Sequence, residues 1–294
     1  MSTSNGESLA QESPYNYVPS EAVAIVMIVL YSISTLAHTG QALKYRMLWL
    51  IPTAGLCGVI EILGWAGRLW SSFSPLLSTP FQIEITCTIV APTPLLAANF
   101  VILGEIMKRI GPSYSRLSPK WYTIIFCTSD VISLVVQGAG GGIAATAPDL
   151  NGANMGAHIM LGGIVFQLVV IIFYSMLALE YYTRYYYDSP IVSRGAEQLR
   201  TLDGQRRGTL TTKLQIMSYA LAFSTTLLFI RAVYRTIELA DGWTGRIISN
   251  QLYFNILDGM MVVLAMYTMN FINPGVFIGK HSLAVEKEKD LASV

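Results

Sequence analysis

The chain has 294 residues, 53% of them hydrophobic and 13% charged, with a net charge of +1 and a mean hydropathy of +0.49. Soluble domains carry about 25% charged residues, so a water-soluble globular protein is excluded, and no run of Lys and Arg interleaved with aromatics offers a nucleic-acid surface. The cysteines Cys57, Cys87 and Cys127 all fall inside apolar runs, where they read as small packing residues and not as a disulfide framework.

Residues 1–20, MSTSNGESLAQESPYNYVPS, are polar and hold no Lys or Arg. A secretory leader begins with a basic stretch, so a polar N-terminal segment is expected here and a cleaved leader is not. A spanning helix needs about 20 mostly apolar residues, and seven stretches qualify: 22–43, 47–67, 81–107, 121–145, 155–182, 214–239 and 251–274. The expected fold is all-α, a polytopic bundle of seven transmembrane helices over 21–275, with a long loop at 183–213 and a tail at 276–294.

The connections fix an orientation. Lys44, Arg46, Lys108, Arg109, Arg116, Lys120, Arg184, Arg194, Arg200, Arg206, Arg207, Lys213, Lys280, Lys287 and Lys289 fall on one side, whereas Arg68 and Arg246 are the basic residues of the other. Basic residues concentrate in cytoplasmic loops. The N-terminus is therefore expected outside, and the long loop and tail inside.

Charged side chains at membrane depth are costly and face the bundle interior or a cavity, so their positions define the candidate site. On the second span, Glu61, Gly64, Trp65 and Arg68 share one helical face. In the third, Pro92 and Pro94 remove two backbone donors, which predicts a kink or break beside Ala97, Ala98 and Asn99. Packing or a lateral gap, with a gating role, would each use such a kink. On the fourth, Asp130, Ser133 and Gln137 line a face ahead of the run GAGGG, which permits close helix contact or local unwinding. Asp130 lies halfway along, either as a hydrogen-bonded packing residue or as a site for a proton or a substrate amine. On the sixth, Arg231, Tyr234, Arg235 and Glu238 repeat the helical spacing, and Asp258 sits about two turns into the seventh.

Glu61, Arg68, Arg231, Arg235, Glu238 and Asp258 thus share the outer half. They can be interhelical pairs that hold the bundle, a polar chamber for a headgroup, or end residues that snorkel to water; an imperfectly matched cluster would hold the bundle and bind a headgroup at once. Arg231 is too deep to snorkel, so an acidic partner is expected from another span, Glu61 or Asp258. His38 and His158 lie at opposite depths and cannot ligate one haem. Neither HExxH nor GxSxG occurs, so no metal, cofactor or enzymatic activity is expected.

Taken in order, ExxGWxGR at Glu61 to Arg68, APxxxAA at Ala91 to Ala98, DxxSxxxQxxG at Asp130 to Gly140, the glycines from Gly156 to Gln167, RxxYRxxE at Arg231 to Glu238, the approach to Asp258 and Asn273-Pro274 resemble the fungal RTA-like family of seven-span lipid-translocating exporters. The resemblance spans about residues 15–275. It implies movement of amphipathic lipids such as sphingoid bases, or of sterol-like compounds, and a role in drug resistance. Two positions depart from the family pattern: Asn250-Gln251 stands where a His-Glu pair is usual, and Asn273-Pro274 where His-Pro is usual.

The function expected is therefore a translocator of lipids or amphipathic small molecules that binds the polar headgroup through Glu61, Arg68, Asp130, Gln137, Arg231, Arg235, Glu238 and Asp258. Its place would be the plasma membrane, or else an endomembrane. The alternative is a seven-span lipid sensor that signals through its loop and tail without transport.

Overall fold

The computed structural model describes residues 13–191, 209–242 and 245–278. The first twelve residues, Arg194, Arg200, Arg206 and Arg207 of the long loop, and Lys280, Lys287 and Lys289 of the tail lie outside the described residues. Among those described, the regular structure is helical throughout. Seven helices are long and apolar enough to cross a membrane: Glu21–Lys44, Leu48–Phe73, Ser78–Ile110, Pro119–Thr146, Asn151–Tyr186, Thr212–Asp241 and Gln251–Phe277. The chain is an integral membrane protein with the expected seven-span architecture. Each helix runs past at least one end of the apolar stretch that announced it, because backbone hydrogen bonding continues into the flanks.

Side-chain bonds identify the two ends of the bundle. At one, Asn16 Nδ2 donates to Ser249 Oγ (3.0 Å) and Gln82 Nε2 to the Ala145 carbonyl (3.1 Å). At the other, Tyr181 donates to the Gly111 carbonyl (3.2 Å), and Tyr114 bonds Asp188. These are called below the Tyr15 end and the Tyr114 end.

Three spans depart from a continuous α-helix. The third breaks at Ala91 into Ser78–Val90 and Pro92–Ile110, since Pro92 has no N–H and its ring clashes with the preceding turn. The second opens with a 3-10 turn, Leu48–Leu50, followed by a π-helical stretch, Ile51–Gly55, that contains Pro52, and the seventh carries another, Phe254–Met260, around Asp258. A π turn inserts one residue and re-aims the side chains beyond it, and such turns gather at functional sites.

Glycines set the tightest approaches. A Cβ on Gly140 would come within 2.5 Å of the Met160 backbone nitrogen, and one on Gly156 within 2.3 Å of that of Ala144. The fourth and fifth spans therefore touch backbone to backbone. The helix stays continuous through GAGGG, so of the two uses foreseen for that run, close contact is realised and unwinding is not. Outward faces are apolar, with Leu36, Val135, Phe173 and Leu179 exposed, while the buried set includes seven Arg, Glu and Asp side chains at the Tyr15 end. Lipid supplies no hydrogen bonds, so polar groups turn inward.

Candidate functional site

Asp258 is the centre of the buried charges. Arg231 Nε and Arg235 Nε both donate to its Oδ1, at 2.8 and 2.7 Å, and Arg235 Nη2 donates to its Oδ2 at 2.7 Å. Arg235 Nη1 also reaches Glu238 Oε2 (2.7 Å), whose Oε1 accepts from the Tyr234 hydroxyl (2.7 Å). Spacings of three and four residues place all four sixth-span side chains on one face, as the helical repeat requires. Of the two partners expected for Arg231, the structure selects Asp258.

The proline break completes this arrangement. In an uninterrupted helix the Thr88 carbonyl would accept the N–H of residue 92, which proline lacks. Arg231 Nη2 donates to that carbonyl instead, and to the Ile89 carbonyl at 3.3 Å. Arg235 Nη2 takes the Thr88 hydroxyl at 2.7 Å. Pro92 thus frees a backbone acceptor inside the membrane, and an arginine from another helix satisfies it.

A second pair adjoins the first. Arg68 Nη1 donates to Glu84 Oε1 at 2.6 Å, both side chains being almost fully buried. Gly67 allows it: a Cβ there would lie 2.9 Å from the Pro80 carbonyl and 3.1 Å from the Glu84 nitrogen. The N-terminal segment folds over the pair. Asn16 has φ of +60°, a conformation asparagine tolerates, and the turn sends Tyr15 and Tyr17 into the bundle. The Tyr15 hydroxyl bonds Glu84 Oε2 and lies 3.0 Å from Ser71 Oγ, while Tyr17 accepts from Arg68 Nη2 at 2.8 Å. Burial, with Glu84 adding to it, holds the Tyr15 phenol above its ordinary range, and burial pushes that of Tyr17 up to about 12. Phe254, four residues before Asp258, lies between the two groups, 4.4 Å from the Arg68 guanidinium and 5.0 Å from that of Arg235.

Glu61 belongs to this cluster by position and differs from it in bonding. It is fully buried, and among the described residues neither carboxyl oxygen has a hydrogen-bond partner. The indole N–H of Trp65, one turn along, is likewise buried without a hydrogen bond.

Asp130 and Gln137 lie in a separate polar chain. Gln167 Nε2 donates to Asp130 Oδ1 (3.2 Å) and Thr93 Oγ1 (3.1 Å), and Gln137 Nε2 donates to Gln167 Oε1 (3.0 Å) and Ser133 Oγ (2.7 Å). Asp130 Oδ2 and Gln137 Oε1 stay without hydrogen bonds. The structure therefore divides the eight headgroup candidates between two places. Asn99 ties the third span to the sixth, donating to Ser224 Oγ (3.3 Å) and Thr225 Oγ1 (3.2 Å). Beside it, an apolar cavity of about 510 Å³ opens between the fifth and sixth spans, bordered by Leu103, Tyr174, Leu179, Leu221, Thr225 and Phe229. His38, bonded to the Met266 carbonyl (3.2 Å), and His158, exposed on the fifth span, are not brought together. Among the described residues no three His, Cys, Asp or Glu side chains gather as a metal site.

Glu84, Tyr15, Tyr17 and Thr88 were not among the residues the sequence singled out, and Gln167 entered only as the last position of a motif. Glu84 carried a usable signal, a carboxylate inside the third apolar run at the depth of Arg68. Tyr15 and Tyr17 carried none, since a polar segment before the first span gives no indication that it folds back.

A family profile described as RTA1 like protein matches residues 55–281. The chain is 30% identical over 284 residues to the sphingoid long-chain base transporter RSB1 of Saccharomyces cerevisiae strain JAY291, an alignment covering 90% of this chain and 74% of that one. It is 24% identical over 305 residues to protoporphyrin uptake protein 1 of the same species, covering 90% and 92%, and 24% identical over 302 residues to protein RTM1, covering 89% and 92%. No solved structure matches. With the profile spanning most of the chain and each motif seated on the expected helix, this protein belongs to the RTA1-like family.

Proposed function

We propose that the chain translocates single-chain amphipathic lipids of the sphingoid-base kind across the plasma membrane, with sterol-like amphipaths as a further substrate class. The N-terminus and the Tyr15 end face outward. The observation that carries this reading is the coincidence of a sphingoid-base transporter among the relatives with carboxyl oxygens, on Glu61 and Asp130, that lie at membrane depth without hydrogen-bond partners. A sphingoid base joins a primary ammonium and hydroxyls to a long hydrocarbon chain, and such oxygens are acceptors for its donors. The charged cluster would receive the headgroup while the chain stays in lipid. The cavity beside Asn99 supports a path for that chain, since Thr225 on its wall lies six residues from Arg231, about 9 Å along the helix.

The basic residues gathered at the Tyr114 end support the orientation. Protein reconstituted alone into vesicles should move a chain-labelled sphingoid base between leaflets, read by quenching from outside. Binding without flux would sink the translocator reading in favour of a lipid sensor.

A further inference from the structure

Charge counting within the Tyr15-end cluster isolates one residue. The buried carboxylates there are Glu61, Glu84, Glu238 and Asp258; the buried guanidiniums are Arg68, Arg231 and Arg235. Glu84 is held by Arg68, Glu238 by Arg235, and Asp258 by Arg231 and Arg235. Among the described residues, Glu61 alone of these carboxylates receives no donor on either oxygen. The cluster is therefore one positive charge short, and the deficit falls on a single carboxyl group. An isolated carboxylate is too costly to bury in low dielectric. Something monocationic must balance it.

The groups facing Glu61 do not supply that charge. They are Tyr31 on the first span, Cys57 one turn back on its own helix, Cys87 on the third, Arg231 and Arg235 on the sixth, and Asp258 on the seventh. Tyr31 donates to the Gly259 carbonyl (2.8 Å), and Cys57 faces Met266 Sδ at 3.9 Å. Both arginines are engaged with Asp258. Glu61 is fully buried and no described arginine is left to pair with it, which suits this conformation to the smallest monocation, a proton.

We propose that Glu61 is an exchange site at which a proton and the primary ammonium of a lipid headgroup replace one another. This rests on the translocator reading above and names its ligand class and its counter-ion. In the closed bundle the carboxyl holds the proton. As an R–NH3⁺ headgroup arrives, the O–H bond breaks, the proton leaves to water, and the carboxylate accepts from the ammonium. One positive charge departs for each that enters, so the buried cluster stays neutral throughout. The structural arginines need not move, because no bond of theirs passes through Glu61. Neutral and anionic headgroups cannot make the exchange, so a sterol-like amphipath uses this site only if it carries an amine.

The test uses purified full-length protein in weakly buffered detergent at mildly acidic pH, with sphinganine as the probe and its N-acetyl derivative as the neutral control. Sphinganine should release one proton per molecule bound and remove a protonated-carboxyl infrared band, while the N-acetyl compound does neither. Glu61→Gln, which has no hydrogen bond to lose, should keep the wild-type melting temperature, lose the band and the proton release, and bind sphinganine about tenfold or more weakly, as expected for loss of a charge-assisted hydrogen bond. Sphinganine binding to the wild type without proton release overturns the inference and needs no variant to do so. Wild-type proton release and affinity in Glu61→Gln overturn it equally. Vesicle flux is scored apart: proton release without flux upholds the exchange site and sinks translocation, and flux without proton release does the reverse.

Discussion

At the Tyr15 end, Arg235 meets Asp258 at 2.7 Å with both side chains fully buried; at the Tyr114 end, Arg116 meets Glu180 at 2.8 Å with 60% of the arginine side chain and 28% of the glutamate exposed. The bond lengths are alike. What differs is the cost of losing one partner. Water and salt take over from either half of an exposed pair, whereas a buried survivor has nothing to turn to. The same geometry thus holds a membrane bundle together at one end and decorates an interface at the other.

The largest effect should come from Arg235→Ala, which strips donors from Asp258, Glu238 and Thr88 together. Breaking a buried pair costs about 3–5 kcal/mol. Folded yield, read by size-exclusion of the solubilised protein, should collapse; a near-normal yield would mean that water reaches the cluster.

Double variants sharpen the contrast within the Tyr15 end. Asp258 serves two arginines, so Arg231→Ala with Asp258→Ala should fold no better than Arg231→Ala alone, because the second change also strips Arg235 of its bonds to Asp258 and leaves it Glu238 and Thr88. Arg68 and Glu84 form a more self-contained pair, and replacing both by Met should recover much of the yield that either single change loses. Equal rescue in both cases would show that the shared geometry at Asp258 does not couple its arginines.

The N-terminal segment should respond to alkali. The Tyr17 phenol, ordinarily near 10, is raised to about 12 in the folded protein by burial, so the native state favours the neutral form. Its contribution is complete below about pH 10 and is lost as pH rises through about 12. Proteolytic sensitivity around residues 13–20 should rise across that window, and Tyr17→Phe should reduce the response to the share that the raised Tyr15 phenol contributes. An unchanged profile in the variant would assign it to another group.

The smallest effect is expected from Glu180→Gln. Glu180 meets Arg116 and Arg184 at the exposed end, where such pairs contribute little. The melting temperature should not change measurably; a clear drop would erase the difference between the two ends.

Much of this protein was legible before any coordinates. Seven apolar runs of spanning length determine seven helices, because lipid leaves the backbone no partners but its own. The spacing of Arg231, Tyr234, Arg235 and Glu238 determines a shared face, because 3.6 residues make a turn. Pro92 announces a break by its chemistry alone. Sequence could not decide which helix lies beside which, and pairing depends on that. Arg231 and Arg235 went to Asp258 and not to Glu61 because a π turn re-aims the aspartate, and π turns leave no mark in a single sequence. Glu84 joined the site because Gly67 lets two helices close to backbone contact, and Tyr15 and Tyr17 joined it because a turn at Asn16 folds a polar segment inward. That Glu61 is the carboxylate left unpaired is likewise a tertiary fact, since an ion pair is a property of two positions and sequence specifies each of them separately.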